Sequence, residues 1–105
     1  MTPDVETDKH GHLVDLSTWS DAVCETLAAR EGLELTDAHW EVLRLLRTFY
    51  AETQVSPAMR PLVRLVRERL DSEKGSSIYL MTLFGDSPAR TAARLAGLPR
   101  PTNCL

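Results

Sequence analysis

The chain contains two thiols, Cys24 and Cys104, and they stand in very different surroundings. Cys104 is the penultimate residue of the tail Leu98-Pro99-Arg100-Pro101-Thr102-Asn103-Cys104-Leu105. Two prolines remove backbone donors and bias such a tail toward extended polyproline geometry. At about 3.1 Å per residue this predicts a flexible arm over 98–105 that reaches roughly 25 Å from Gly97. A thiol at the tip, beside the small polar residues Thr102 and Asn103, is accessible, and accessible thiolates are the nucleophiles of sulfur exchange. With a pKa near the unperturbed ~8.5 only a modest fraction is ionised at neutral pH. The Leu105 carboxylate opposes ionisation, whereas Arg94 or Arg100 favours it. The sequence implies no base, oxyanion donor or cleft around this thiol. Such a thiol suits a carrier that a partner activates, with no turnover of its own, better than an enzyme, although by residue pattern alone an incidental exposed thiol is the commoner case.

Other chemistry-bearing residues point to packing or solvation. Cys24 lies at the edge of an apolar helical stripe with Leu27 and Ala28 at i+3 and i+4, the setting of a small buried hydrophobe. Two cysteines without Cys-x-x-Cys spacing predict neither a disulfide framework nor a zinc site. His10 and His12 fall in a turn, and His39 has no histidine or carboxylate at i+4, so no metal or cofactor is expected. Arg60, Arg64 and Arg67 at i, i+4 and i+7 line one helix face and could meet RNA or an acidic partner, although most such stripes face water. The net charge of -3 and pI near 5.5 lack the positive field of a protein held to nucleic acid mainly through phosphates. Apolar runs fall well below the roughly 18 residues that span a bilayer, and Met1 to Lys9 are acidic and polar rather than signal-like. A cytoplasmic protein without membrane contact is expected.

The elements that must position these groups follow from periodicity and capping. One domain over 1–105 is predicted, mainly α: an orthogonal bundle of about five helices with a short N-terminal β-hairpin and the C-terminal arm. The hairpin pairs Val5 to Thr7 with His12 to Asp15 across Asp8 to Gly11. A first helix from about Thr18 to Arg30 buries Trp19, Val23 and Leu27 with Ala22 and Ala28, and Gly32 stops it. A second, capped by Thr36 and ending near Gln54, buries Val42, Leu45, Leu46, Phe49 and Tyr50. A third turns Met59, Leu62, Val63, Val66 and Leu70 inward, with Pro61 at a first turn or kink. A short helix capped by Ser76 or Ser77 carries Ile78, Leu80, Met81, Leu83 and Phe84. Pro88 opens the last, Ala89 to Ala96, with Gly97 as its C′ residue.

Several segments carry a family resemblance. The tail Ala96-Gly97-Leu98-Pro99-Arg100-Pro101-Thr102-Asn103-Cys104-Leu105 resembles the C-terminal signature of the DsrC/TusE sulfurtransferase family. Agreement extends through Thr36-Asp37-Ala38-His39-Trp40-Glu41-Val42, Leu46-Arg47-Thr48-Phe49-Tyr50, Ser56-Pro57-Ala58-Met59-Arg60 and Lys74-Gly75-Ser76-Ser77-Ile78-Tyr79-Leu80 with Leu83-Phe84. It covers about Gly11 to the end, with the hairpin abbreviated. The resemblance implies a helical fold with a helix-turn-helix-like pair, a mobile arm, and Cys104 as the sulfur-accepting residue. In the DsrC branch a second arm cysteine stands where this chain has Ala93. A disulfide or trisulfide cycle within the arm is thereby excluded.

The single-cysteine pattern is similar to the TusE branch. It implies uptake of persulfide sulfur from a TusBCD-like donor complex and delivery to a tRNA thiouridylase with its tRNA, for 2-thiolation of the wobble uridine. The alternative within the family is a partner of sulfite reductase or of sulfur-oxidation machinery, or a purely structural sulfite reductase subunit. A different class is a helix-turn-helix regulator that binds nucleic acid through the second and third helices and the Gln54 to Ser56 connection. Because the motif-bearing surface and arm are locally basic on an acidic molecule, Arg60, Lys74, Arg90, Arg94 and Arg100 are the candidate partner contacts.

Overall fold

Helices α1 (Asp21–Arg30), α2 (Asp37–Thr53), α3 (Met59–Arg69), α4 (Ser77–Phe84) and α5 (Pro88–Leu95) form the body of the computed structural model, which describes residues 5–101. Cys104 and its neighbours from 102 onward lie outside the described residues. Several helix starts carry a side-chain cap or a first-turn proline. The Ser20 hydroxyl accepts the Val23 amide at 3.2 Å and that of Ser76 accepts the Tyr79 amide at 3.1 Å, each satisfying a donor that the first turn leaves unpaired. Pro61 and Pro88 both sit in first turns, where a missing N–H costs nothing, and α3 runs on through Pro61 to Arg69.

The N-terminal segment keeps the antiparallel register of the expected hairpin but pairs over a shorter length. Thr7 and Leu13 form one isolated antiparallel bridge, and paired strands are absent among the described residues. Local hydrogen bonding explains the short pairing. The Asp8 carboxylate takes the amides of His10 and His12 at 2.8 and 3.1 Å, and just beyond Val14 the chain turns into a 3-10 turn at Leu16–Thr18 capped by Asp15. The first helix also begins later than its apolar spacing suggests, because Ser20 caps it. Trp19 therefore lies outside α1 in extended backbone, and Ala22 is exposed.

The core is otherwise close to the predicted one, with additions. Leu43 and Leu65 are buried beside the expected residues of α2 and α3, and His39 is buried too. On α4 only the i, i+4 pair Leu80 and Phe84 is fully inside, since a two-turn surface helix buries one narrow stripe. Ile78, 80% exposed, and Met81, 43% exposed, face outward instead of joining the core.

α5 is the central element, packing against each of the other four helices. Its buried Ala89, Ala92 and Ala93 have little side chain to hold neighbouring backbones apart, and Leu95 fills the space beyond them. The helix ends in a Schellman motif: the Gly97 amide donates to the Arg94 carbonyl at 3.2 Å and that of Leu98 to the Ala93 carbonyl at 2.9 Å. Gly97 takes φ +72°, and a Cβ built there would run into the Trp19 ring. Gly32 ends α1 with the same motif at φ +68°, but in open space.

The two glycines make a controlled comparison. Gly32→Ala should cost about 1–2 kcal/mol, the left-handed backbone penalty alone. Gly97→Ala should lose that plus an overpacking cost of about 1–3 kcal/mol. Urea unfolding of both variants checks this; equal midpoints would show that the Trp19 contact does not constrain the turn.

Candidate functional site

The site is the place where the C-terminal tail leaves the domain. The last carbonyls of a helix lack intrahelical partners, and here they end in the interior, with Leu95 and Ala96 both 0% exposed. Three side chains from distant elements supply donors. Trp19 Nε1–H donates to the Leu95 carbonyl at 2.8 Å, and Arg47 of α2 donates through Nη1 to the Ala96 carbonyl at 3.0 Å. His12 Nδ1 lies 2.8 Å from the Leu98 carbonyl, and since a carbonyl only accepts, this nitrogen carries the hydrogen. The Arg47 guanidinium also stacks 4.1 Å above the Trp19 ring centroid, within cation–π range. Trp19 and Arg47 thus brace each other.

The root of the tail consequently belongs to the domain. Leu98 is 1% exposed and Pro101 is buried, while Arg100 faces outward. The arm predicted from 98 onward has its first residues packed against the body, because the amide, side chain and carbonyl of Leu98 are all engaged. Whatever reach the tail has begins further along.

Cys24 lies inside α1 at 0% exposure, and burial, reinforced by Asp21 and Glu25, pushes its thiol up to about 12. It is a protonated core group at neutral pH. Ala93, the position of a second cysteine in the two-cysteine pattern, is 1% exposed within the α5 core. His39 is likewise structural: its Nδ1 accepts the Thr36 amide at 3.0 Å and its Nε2–H donates to the Leu83 carbonyl at 2.6 Å. His12 is buried and His10 exposed. Among the described residues no group of His, Cys, Asp or Glu side chains could hold a metal ion, and no helix is long and apolar enough to cross a membrane.

The five basic candidates do not converge on one spot. Arg94 is held by Glu31 through Nε and Nη2 at 3.1 and 2.8 Å and by Thr91 Oγ1 at 3.1 Å, and the hydrogen bond to Glu31 raises its pKa. Arg94 and Arg100 both act electrostatically on His12, so these two lie around the tail root. Lys74 pairs with Glu41 of α2 at 2.7 Å, which raises its pKa. Arg90 is exposed in the first turn of α5 and lines a groove of about 420 Å³ with Met59, Ser77, Met81, Pro88 and Ala89. Arg60, exposed, follows Met59 at the start of α3. The sequence reading assigned no site role to His12, Trp19 or Arg47, whose contacts span 49 to 86 residues and leave no local trace.

A bundle built round one short alanine-rich helix, whose buried end is tied to three other segments and releases the tail, defines a recognisable class of small helical protein. The family model for DsrC like protein matches residues 2–105, and the chain belongs to that family. It is 48% identical over 102 residues to a sulfurtransferase TusE homolog of Haemophilus influenzae, covering 97% of this chain and 94% of that protein. It is 46% identical to sulfurtransferase TusE of Pectobacterium atrosepticum, covering 96% and 93%. Among solved structures, DsrC of Allochromatium vinosum superposes with a TM-score of 0.88 at 42% identity, covering 96% of this chain and 90% of that one. The oxidized gamma-subunit of dissimilatory sulfite reductase (DsrC) from Archaeoglobus fulgidus gives 0.82 at 34% identity, covering 96% and 92%.

Burial of Cys24 has a pH signature. Burial pushes the folded thiol's pKa up to about 12 from the ordinary 9.0, so the folded state holds its proton where the unfolded state releases it. The associated stability is complete below about pH 9 and is lost as pH rises toward 12. Unfolding measured across that range should show a steeper alkaline loss for the native sequence than for Cys24→Ala. Iodoacetamide should leave Cys24 unmodified in the folded protein at neutral pH and label it once the chain is unfolded.

Proposed function

We propose that this chain is a sulfur carrier, taking persulfide sulfur onto Cys104 from a TusBCD-like donor complex and passing it to a tRNA thiouridylase with its tRNA, for wobble 2-thiouridine synthesis in the cytoplasm. The observation that carries this reading is near-full-length identity to sulfurtransferases TusE, together with a tail that holds one cysteine. The chain acts as one domain over 1–105, with its reaching segment beyond the packed root. Arg60, Lys74, Arg90, Arg94 and Arg100 are proposed to contribute partner contacts, those at the tail root beside the thiol and the others across the bundle.

The chemistry needs only the thiol and a partner. The Cys104 thiolate attacks the outer sulfur of a donor persulfide; the donor S–S bond breaks, and the donor thiolate leaves with its electron pair. Cys104 then bears the persulfide. An acceptor thiolate attacks that outer sulfur in turn, and Cys104 departs as thiolate, so one sulfur atom has moved with no net oxidation. Docking, in place of a built-in base, sets when this happens, which is why the chain has no turnover alone.

A second reading, a DsrC-like partner of sulfite reductase or sulfur-oxidation machinery, is favoured by the close superposition on DsrC structures. Ala93 in place of a second arm cysteine weighs against a two-thiol cycle there. A nucleic-acid regulator fits less well, since Arg67 of the α3 stripe donates to the Gly75 carbonyl at 3.0 Å.

Incubation with a persulfidated donor followed by mass spectrometry tests the proposal. Cys104→Ser should lose the one-sulfur adduct and tRNA thiolation with stability unchanged within about 0.5 kcal/mol. Cys24→Ser should retain both while costing about 1–3 kcal/mol for a buried hydroxyl. An adduct kept in Cys104→Ser and lost in Cys24→Ser would overturn the assignment.

A further inference from the structure

We infer that the groove between α3, α4 and α5 is the docking site for the persulfide donor, and that it takes an apolar side chain flanked by carboxylates on that protein. This docking role rests on the carrier reading above and adds to it the surface through which the donor is held. The α4 helix is the starting point, because its outward positions Ser77, Ile78, Met81 and Thr82 are all uncharged on a chain of which 26% of residues are charged. Every other helix turns charged side chains to solvent. Ile78, 80% exposed, and Met81, 43% exposed, stand three residues apart and so share one face. Met81 continues into the groove of about 420 Å³ with Met59, Pro88 and Ala89. Unbranched methionine side chains adapt to irregular shapes, which suits a surface that must close over an incoming side chain.

Charge around this apolar centre selects the occupant. Arg90 lies in the groove wall, and Arg60 follows Met59 with Arg64 one turn further along α3. Among the described residues neither Arg60 nor Arg64 is paired with a carboxylate. Asp86 is the acidic residue of the lining. Met59, Ser77 and Pro88 are the first residues of three helices and all line the groove, so the positive ends of three dipoles add to the arginines. An uncharged centre within a charged rim is the anatomy of a protein interface. A second copy docked about a two-fold axis would set this rim against itself, and like charges brought together are unfavourable. A different protein with carboxylates around an apolar anchor meets both features.

The test uses the full chain and the persulfide donor complex. Affinity is measured by calorimetry on chains that also carry Cys104→Ser, so that no sulfur moves. Ile78→Ala and Met81→Ala should each weaken binding about tenfold, whereas Met81→Leu, which keeps apolar bulk, should bind as the native sequence does. Arg60→Glu should weaken binding about fivefold and flatten its dependence on salt. Val14→Asp, at a 59% exposed position of the N-terminal segment, should change nothing. With Cys104 intact, Ile78→Ala and Met81→Ala should raise the donor concentration that half-saturates sulfur loading and leave the rate at saturation unchanged, because the groove holds the protein and not the reacting atoms.

Unchanged donor affinity in both Ile78→Ala and Met81→Ala would overturn the inference, and the free chain then names the occupant. A dimer that these variants dissolve in sedimentation assigns the groove to a second copy; nuclear Overhauser contacts from the Ile78 and Met81 methyls to residues 102–105 assign it to the chain's own C-terminus. If the two variants lose donor affinity while Cys104→Ser keeps the one-sulfur adduct, the carrier reading fails and the docking role stands. If Cys104→Ser abolishes the adduct while both variants bind the donor as the native sequence does, the docking role fails and the carrier reading stands.

Discussion

A helix that ends inside a protein leaves carbonyl oxygens that water cannot reach, and the end of α5 is such an end. A buried acceptor without a partner costs about 1–3 kcal/mol, so three of them at one terminus would remove a large part of the stability of a small domain. The fold answers with an indole, a guanidinium and an imidazole, each from a different segment. That requirement fixes much else. The N-terminal turn must lie over the tail to deliver His12, Trp19 must sit outside α1 to reach across to Leu95, and α2 must present Arg47 on its inner side. Gly97 follows from the same geometry, because the Trp19 ring occupies the space a Cβ would take.

The same packing separates two thiols that are chemically identical in the unfolded chain. Thiolate formation needs solvation or a nearby cation, and Cys24 has a helix interior with Asp21 and Glu25 as the acidic neighbours. Its sulfur serves as volume. Ala93, deep in the central helix, likewise supplies close contact with α5's neighbours. Burial thereby keeps Cys24 protonated and out of thiol exchange at neutral pH.

Local rules made the helices legible. Thr36, Ser76, Pro88 and Gly97 mark helix ends in the sequence and do so in the structure, and the stripes on α2 and α3 name most of the core. Where the reading went astray, a nonlocal or competing local interaction decided. Trp19 fits the apolar period of α1, yet the Ser20 cap and the pull of the Leu95 carbonyl take it out of the helix. Val5 to Asp15 turns back antiparallel through Gly11 as expected, yet the pairing stops at one bridge, with the Asp8 carboxylate holding two turn amides. Ile78 and Met81 are apolar but lie on the outer face of a helix only two turns long. Of the candidate site, Cys104 was singled out through the family resemblance and lies outside the described residues, whereas the anchors at the tail root depend on residues 49 to 86 positions apart.

Charge shows why a basic residue near a site need not be available to a partner. Lys74 and Glu41 meet at 2.7 Å with side chains 34% and 43% exposed, and such surface pairs contribute about 0–1 kcal/mol. An acidic partner can replace Glu41 at little loss. Arg94 is different: two nitrogens engage both Glu31 oxygens, Thr91 adds a third contact, and the pair is more enclosed. Its stem also lies against Gly11 in the turn that carries His12. Removing Arg94 from Glu31 would therefore also disturb the N-terminal turn against which its stem packs. Exposure and pairing together, and not charge alone, separate a residue that can exchange its ion-pair partner from one whose loss is felt in the fold.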